Sequence, residues 1–227
     1  MSYQTVSATN VLSINNTVRA NFTGWKSLEG GMRYFHLLNY YPAWMDRKNG
    51  FCPTTEERVA RHLIWNFKYD PSRGITREMH VSAAQAVVEL LSGVLARTFG
   101  ETIGNVTLFC APASSQSGYQ RRIEDFASLL CAKTGAQNSY SHVKYVRDAT
   151  PKHSGGSGMP AVNLDADYFR GKKVLIFDDV TTSGGTLQRY KQVLTDLGAI
   201  VVGGVCIGKT CWERENGNPI SSYLKAA

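Results

Sequence analysis

One stretch limits the possible fold more than any other: Lys173-Val174-Leu175-Ile176-Phe177-Asp178-Asp179-Val180-Thr181-Thr182-Ser183-Gly184-Gly185-Thr186. The apolar run Val174–Phe177 shows no polar alternation, so it reads as a strand buried on both faces, as in a parallel sheet covered by helices. Two acids follow, then a Thr/Ser/Gly turn, then a helical segment from Thr186 to Leu197 that stops at Gly198. Strand, turn and helix in that order place the acids and the turn at the carboxyl edge of a sheet, where open α/β sheets bind ligands.

The neighbouring segments repeat this alternation. Val106–Cys110 reads as a buried strand, Arg121–Lys133 as a helix closed by Gly135, Val143–Val146 as a strand and Ile200–Ile207 as another. That pattern predicts an α/β domain with a doubly wound, mainly parallel sheet. Earlier, Thr54-Thr55-Glu56-Glu57 has capping-box spacing, and Val59, Leu63 and Phe67 recur every four residues, predicting a helix from Thr54 to Lys68. A longer helix is expected from His80 to Phe99, ending near Gly100. Residues 1–53 carry aromatic, Asn and Gly residues without a helical period and read as short strands and loops. Thr150–Pro160, rich in Gly, Ser and Pro, reads as a mobile loop.

With 43% hydrophobic and 19% charged residues the chain of 227 is too apolar for a disordered one and has about the length of one large domain. Its 25 basic against 18 acidic side chains give a formal charge of +7, which favours polyanionic partners: phosphorylated metabolites, nucleic acid or acidic lipid. The opening residues do not read as a secretory signal, and no uninterrupted apolar run reaches the ~18 residues of a membrane-spanning helix. Five cysteines without a C-x-x-C pair argue against a disulfide framework and a structural zinc site. The expectation is a cytoplasmic protein with reduced thiols and no membrane partner.

The chemistry of the turn after the acids is direct. Small residues let the backbone approach an anion, their amides and hydroxyls donate to it, and a helix N-terminus favours negative charge by ~0.3–2 kcal/mol. Carboxylates cannot serve a phosphate, so they read as acceptors for sugar hydroxyls or as magnesium ligands. Together they describe a sugar-phosphate site. The alternative is an ordinary capped helix after a strand that ends in two aspartates.

The run resembles the signature with which type I phosphoribosyltransferases bind phosphoribosyl pyrophosphate (PRPP). The resemblance implies that fold, with a small hood. It assigns Asp178 and Asp179 to the ribose hydroxyls and Thr181, Thr182, Ser183, Gly184, Gly185 and Thr186 to the ribose 5′-phosphate. A weaker similarity points to the ComF-type, amidophosphoribosyltransferase-like branch, through Asn66-Phe67-Lys68-Tyr69, Ala111-Pro112-Ala113-Ser114 followed by Arg121, and Tyr145-Val146-Arg147-Asp148. The N-terminal cysteine pairs of that branch are missing, and its Arg-Gly-Phe-Asn-Gln segment is altered to Arg121-Arg122-Ile123-Glu124-Asp125.

Further implications follow from the resemblance. Residues 1–53 are a hood or extension, 54–210 the phosphoribosyltransferase core and 211–227 a tail. Ala113, Ser114, Ser115 and Arg121 serve the pyrophosphate. Lys152, in the loop that closes over the ligand, joins Asp178 and Asp179 as a catalytic residue. The cofactor is magnesium, held at Asp178 and Asp179, in part through water. The reaction is displacement of pyrophosphate from PRPP by a nitrogen nucleophile, a base or an amine, in nucleotide metabolism, and a homodimer is common in the family. Thr182 stands where 6-oxopurine enzymes have an acid, which argues against that base. Trp25, Tyr34, Phe35, Tyr40, Tyr41 and Trp44 are candidates to stack on an acceptor. A PRPP- or nucleotide-sensing regulator that binds nucleic acid, or a competence-related protein without turnover, is the alternative on the same fold.

Overall fold

The computed structural model describes residues 24–47, 51–150 and 159–213. Val174, Leu175, Ile176 and Phe177 are all buried, as a strand covered on both faces requires. They belong to β7 (Lys173–Thr181), which lies inside a six-stranded sheet with β1 (Lys26–Ser27), β2 (Arg33–Tyr40), β3 (Val106–Cys110), β4 (Gln137–Asn138) and β8 (Ile200–Thr210). The order is β1-β2-β8-β7-β3-β4, and only the β1–β2 pairing is antiparallel. The helices are α1 (Thr55–Lys68), α2 (Arg77–Phe99), α3 (Gln116–Thr134), α4 (Ala166–Phe169) and α5 (Gly185–Asp196).

Both faces of the sheet are covered. Phe177 of β7 packs on Phe67 of α1 and Phe126 of α3. Phe109 of β3 is in register with Ile176, so it points to the opposite face, where it meets Phe169 of α4 and Tyr190 of α5. The expected α/β architecture, a mainly parallel sheet flanked by helices, is therefore present. α2, long and apolar enough by length and composition to cross a membrane, instead buries residues from Ala83 to Leu95 and packs against α1 and α3. Cys110, Cys131 and Cys206 are buried free thiols.

Local chemistry explains the helix starts. At Thr54 both halves of the capping box form: Glu57 N–H donates to Thr54 Oγ1 (3.2 Å), and Thr54 N–H donates to the Glu57 carboxylate (2.8 Å). α2 begins three residues before the expected His80 because Thr76 Oγ1 accepts from Met79 N–H. α3 begins at Gln116 rather than Arg121, since Ser115 caps it through Gly118 N–H (3.1 Å); the glycine hid this start in the sequence.

Three expectations change. β2 pairs in parallel with β8 and forms part of the main sheet, so the boundary placed at residue 53 does not separate a hood from the core. Its eight residues lack a clean alternation because seven of them, all but Arg33, are wholly or partly buried. Val143–Arg147, β5, does not join the main sheet; it pairs antiparallel with β6 (Ala161–Leu164), outside β4. The two-residue β4 ends the sheet there, and β5, mostly exposed, is not built for a place covered on both faces. β7, finally, continues through both acids to Thr181 instead of ending at Phe177.

The amino-terminal hairpin is seated on two glycines. Gly203, where β8 slips register against β7, would drive a Cβ to 2.5 Å from the Trp25 ring, and Gly184 would drive one to 2.5 Å from Leu28 Cδ1. Both glycines have positive φ, 157° and 85°, so a side chain there is unfavourable on backbone grounds as well.

His36, on β2 opposite Cys206, is pushed down to about 4, first by burial and then by the charge of Lys26. A folded pKa below the free value of 6.5 means the neutral ring's contribution is complete above 6.5 and is lost as pH falls towards 4. The expected loss is about 2–3 kcal/mol over that window. Thermal melts of the wild type and of His36→Gln should diverge by that amount as pH falls from 7 to 4, the wild type losing the stability that the variant does not.

Candidate functional site

The connections leaving the carboxyl ends of β3 and β7 diverge. From β3 the chain runs through α3 to β4 on one side; from β7 it runs through α5 to β8 on the other. Such a divergence opens a crevice at the sheet edge, the usual ligand position in open α/β sheets. The segments 111–115 and 182–184 flank it, and the acid pair lies on the strand between them.

Because Asp178 and Asp179 are consecutive in a strand, their side chains point to opposite faces. Asp179 turns towards α1 and α3. Its Oδ2 accepts from Arg122 Nη1 at 2.6 Å and its Oδ1 lies 3.4 Å from Lys68 Nζ, while Arg122 Nε–H also donates to the Lys68 carbonyl at 3.2 Å. The side chain is 10% exposed. Asp178 Oδ1 accepts from Asp179 N–H at 2.9 Å. Burial, and next the charge of Asp179, push Asp178 up to about 7, so it exchanges its proton near neutral pH. The two acids are thus unequal: Asp179 is tied to Arg122 and Lys68, and Asp178 is a carboxyl poised between its two forms.

The turn Thr182–Gly184 follows Thr181 directly, with Thr182, Ser183 and Gly185 exposed. Gly184 occupies the N-cap position of α5 in the left-handed conformation and supplies no side-chain cap. The first amides of α5 are therefore left for solvent or an anion. Thr182 Oγ1 lies 3.1 Å from Thr210 Oγ1. Lys209 Nζ donates to the carbonyls of Thr182 (2.6 Å) and Thr210 (3.1 Å), placing a cation beside the turn. Sequence reading missed Lys209. The available signal was that β7 and β8 are adjacent parallel strands, which end side by side.

On the far side of the crevice the picture differs. Ser115 Oγ accepts from Gly118 N–H, and the Asp148 carboxylate accepts from Gln116 N–H at 2.8 Å, so the N-terminus of α3 already holds an anion of the chain itself. Ala149 N–H donates to the Ser114 carbonyl at 2.7 Å, and Tyr145 Oη–H to that of Ala113 at 2.8 Å. Of the two neighbouring arginines, Arg122 reaches the acid pair, while Arg121, exposed, lies over the Tyr69 ring at 5.7 Å. Lys152 lies outside the described residues.

A resident metal does not suit this donor set. Asp179 is engaged by two cations, Asp178 resists ionisation, and no group of three metal-ligating side chains forms among the described residues. Of the aromatic candidates, Tyr34, Phe35 and Tyr41 are buried core, Trp25 packs edge-on against Phe35, and Tyr40 accepts a hydrogen bond from Trp65 Nε1–H. Only Trp44 presents a largely open ring, 50% exposed, 5.6 Å from the ring of Trp212.

No family model matches the chain, and no curated protein matches it. Among solved structures, a purine phosphoribosyltransferase from Pyrococcus horikoshii Ot3 is similar at 17% identity, covering 60% of this chain and 91% of that one, with a TM-score of 0.31.

Proposed function

We propose that this chain binds a phosphorylated pentose, with PRPP as the ligand its site suits, and acts as a phosphoribosyltransferase towards a nitrogen nucleophile. The observation that carries the reading is the open N-terminus of α5 behind the Thr182–Gly184 turn, set at the sheet crevice beside a half-buried carboxyl of shifted acidity. In this reading the 5′-phosphate sits on the amides and hydroxyls of Thr182, Ser183, Gly185 and Thr186, with Lys209 adding positive charge. Asp178 holds a ribose hydroxyl, and its ionised form offsets the positive charge that grows on the ring as the bond to pyrophosphate breaks. Arg122 and Lys68, at Asp179, are the cations nearest to a departing diphosphate. A divalent ion that arrives with PRPP would be held by the ligand's own oxygens, and no step here passes through it.

A second reading has an observation of its own. Asp148 fills the N-terminus of α3, where the diphosphate is expected, and this favours a PRPP- or nucleotide-sensing protein without turnover. Pyrophosphate release from PRPP, measured across a panel of bases and amines, separates the two: turnover with any acceptor supports the enzyme, and binding without release supports the sensor.

Calorimetry tests the shared premise. Gly184→Ala, which strains a left-handed position and displaces Leu28, should weaken PRPP binding about tenfold. Unchanged affinity would remove the turn from the site.

A further inference from the structure

Arg58, His62, Trp65 and Tyr69 follow one another at intervals of four, three and four residues, which places them on a single face of α1 and its cap. That face is opposite the one that buries Ala60, Leu63, Ile64 and Phe67. Outward faces of helices normally carry interspersed charges of both signs; this one carries rings and cations.

Two arginines from other elements complete it. The Arg73 guanidinium lies 5.6 Å over the Trp65 ring, and that of Arg121 lies 5.7 Å over Tyr69. His62 stacks on Trp65 at 5.5 Å, with planes 21° apart, and Tyr69 is backed by His80 at 4.7 Å and 9°. Trp65 is fixed by its hydrogen bond to Tyr40 Oη at 3.1 Å. Arg58, Arg73 and Arg121 are exposed; two carboxylates adjoin the stripe, Asp70, 3.3 Å from Arg73 Nε, and Asp46, paired at 2.7 Å with Arg61, whose guanidinium also lies over Trp65, and felt by Arg58.

We propose that this stripe binds single-stranded nucleic acid. A guanidinium laid flat on a ring turns its N–H edge outward to a phosphate and offers a plane on which a base stacks. From Arg58 to Tyr69 the stripe runs ~16 Å, room for about three to five nucleotides. The net charge of +7 supplies a field that draws in a polyanion. An acidic protein or an anionic membrane would use the cations and leave the rings idle, and a duplex hides its base faces. One end of the stripe, Tyr69 and Arg121, adjoins Lys68 and Arg122 at the acid pair, but Arg58 and Arg73 are not among the crevice residues, so variants at those two positions test this inference apart from the PRPP reading.

The test is fluorescence anisotropy of the full chain with a labelled single-stranded RNA about twelve nucleotides long, and the same DNA, at about 100 mM salt. Arg58→Glu with Arg73→Glu should weaken binding at least about tenfold, while Arg97→Glu with Lys191→Glu, the same charge change on α2 and α5, should weaken it less than about threefold. Should the first pair lower the melting temperature, Arg73→Gln alone, a change at an exposed side chain, is read for a loss of at least about threefold. Absence of binding to either oligonucleotide, equal loss in both double variants, equal affinity for a duplex, or vesicles of phosphatidylserine bound in preference to the oligonucleotides would each overturn the proposal.

Discussion

Asp178→Asn should make the protein more stable at pH 8 and leave it nearly unchanged at pH 4, while weakening PRPP binding by tenfold or more. A carboxyl whose folded pKa is about 7, against an ordinary 3.8, keeps its proton in the native state after the unfolded chain has lost it. The stability tied to that proton is complete below 3.8 and drains away as pH rises through about 7. Asn keeps an acceptor for Asp179 N–H and cannot ionise, so it escapes the cost, about 2–4 kcal/mol at pH 8. For a chain of this size that is a rise in melting temperature of roughly 5–15 °C. The slope is opposite to that expected from His36 over nearly the same window, so the two offset each other: each single variant should tilt the profile in the opposite sense, and the double variant should remove both contributions. Gain in stability with undiminished PRPP affinity would mean that Asp178 is a buried structural acid and no part of a ligand site.

Arg122→Met should destabilise the fold by about 2–4 kcal/mol, because it leaves the Asp179 carboxylate with only Lys68, 3.4 Å away, to offset its burial. The loss should be largely recovered in Arg122→Met/Asp179→Asn, which removes both charges. Denaturant melts of the two single variants and the double give the coupling energy directly. A coupling near zero would show that the ion pair, though 2.6 Å long, is worth no more than a solvated contact, and that Arg122 is free to serve a ligand.

Much of the fold was legible because the strongest signals are local. The apolar run before Asp178, the capping box at Thr54 and the glycines after α3 and α5 each fix an element through nearest neighbours in sequence. What escaped depended on distant pairing. Nothing within Arg33–Tyr40 announces that it lies beside β8, and nothing within Val143–Arg147 announces that it finds Ala161–Leu164 rather than the main sheet. The acid pair and the turn were readable as a unit, yet their inequality was not: it arises because β7 runs on past both acids, and because Arg122 and Lys68, remote in sequence, converge on one of them. Asp148 at the amide of Gln116 is likewise a contact across 32 positions that composition cannot disclose.

The seating of Trp25 and Leu28 on Gly203 and Gly184 ties the chain's beginning to a turn formed some 150 residues later. Leu28 is a wedge under the hinge of that turn, and a nick or an insertion in the hairpin would loosen the wedge before it loosened the sheet. Damage to the hairpin would then reach the head of α5 first, while the sheet behind it still held.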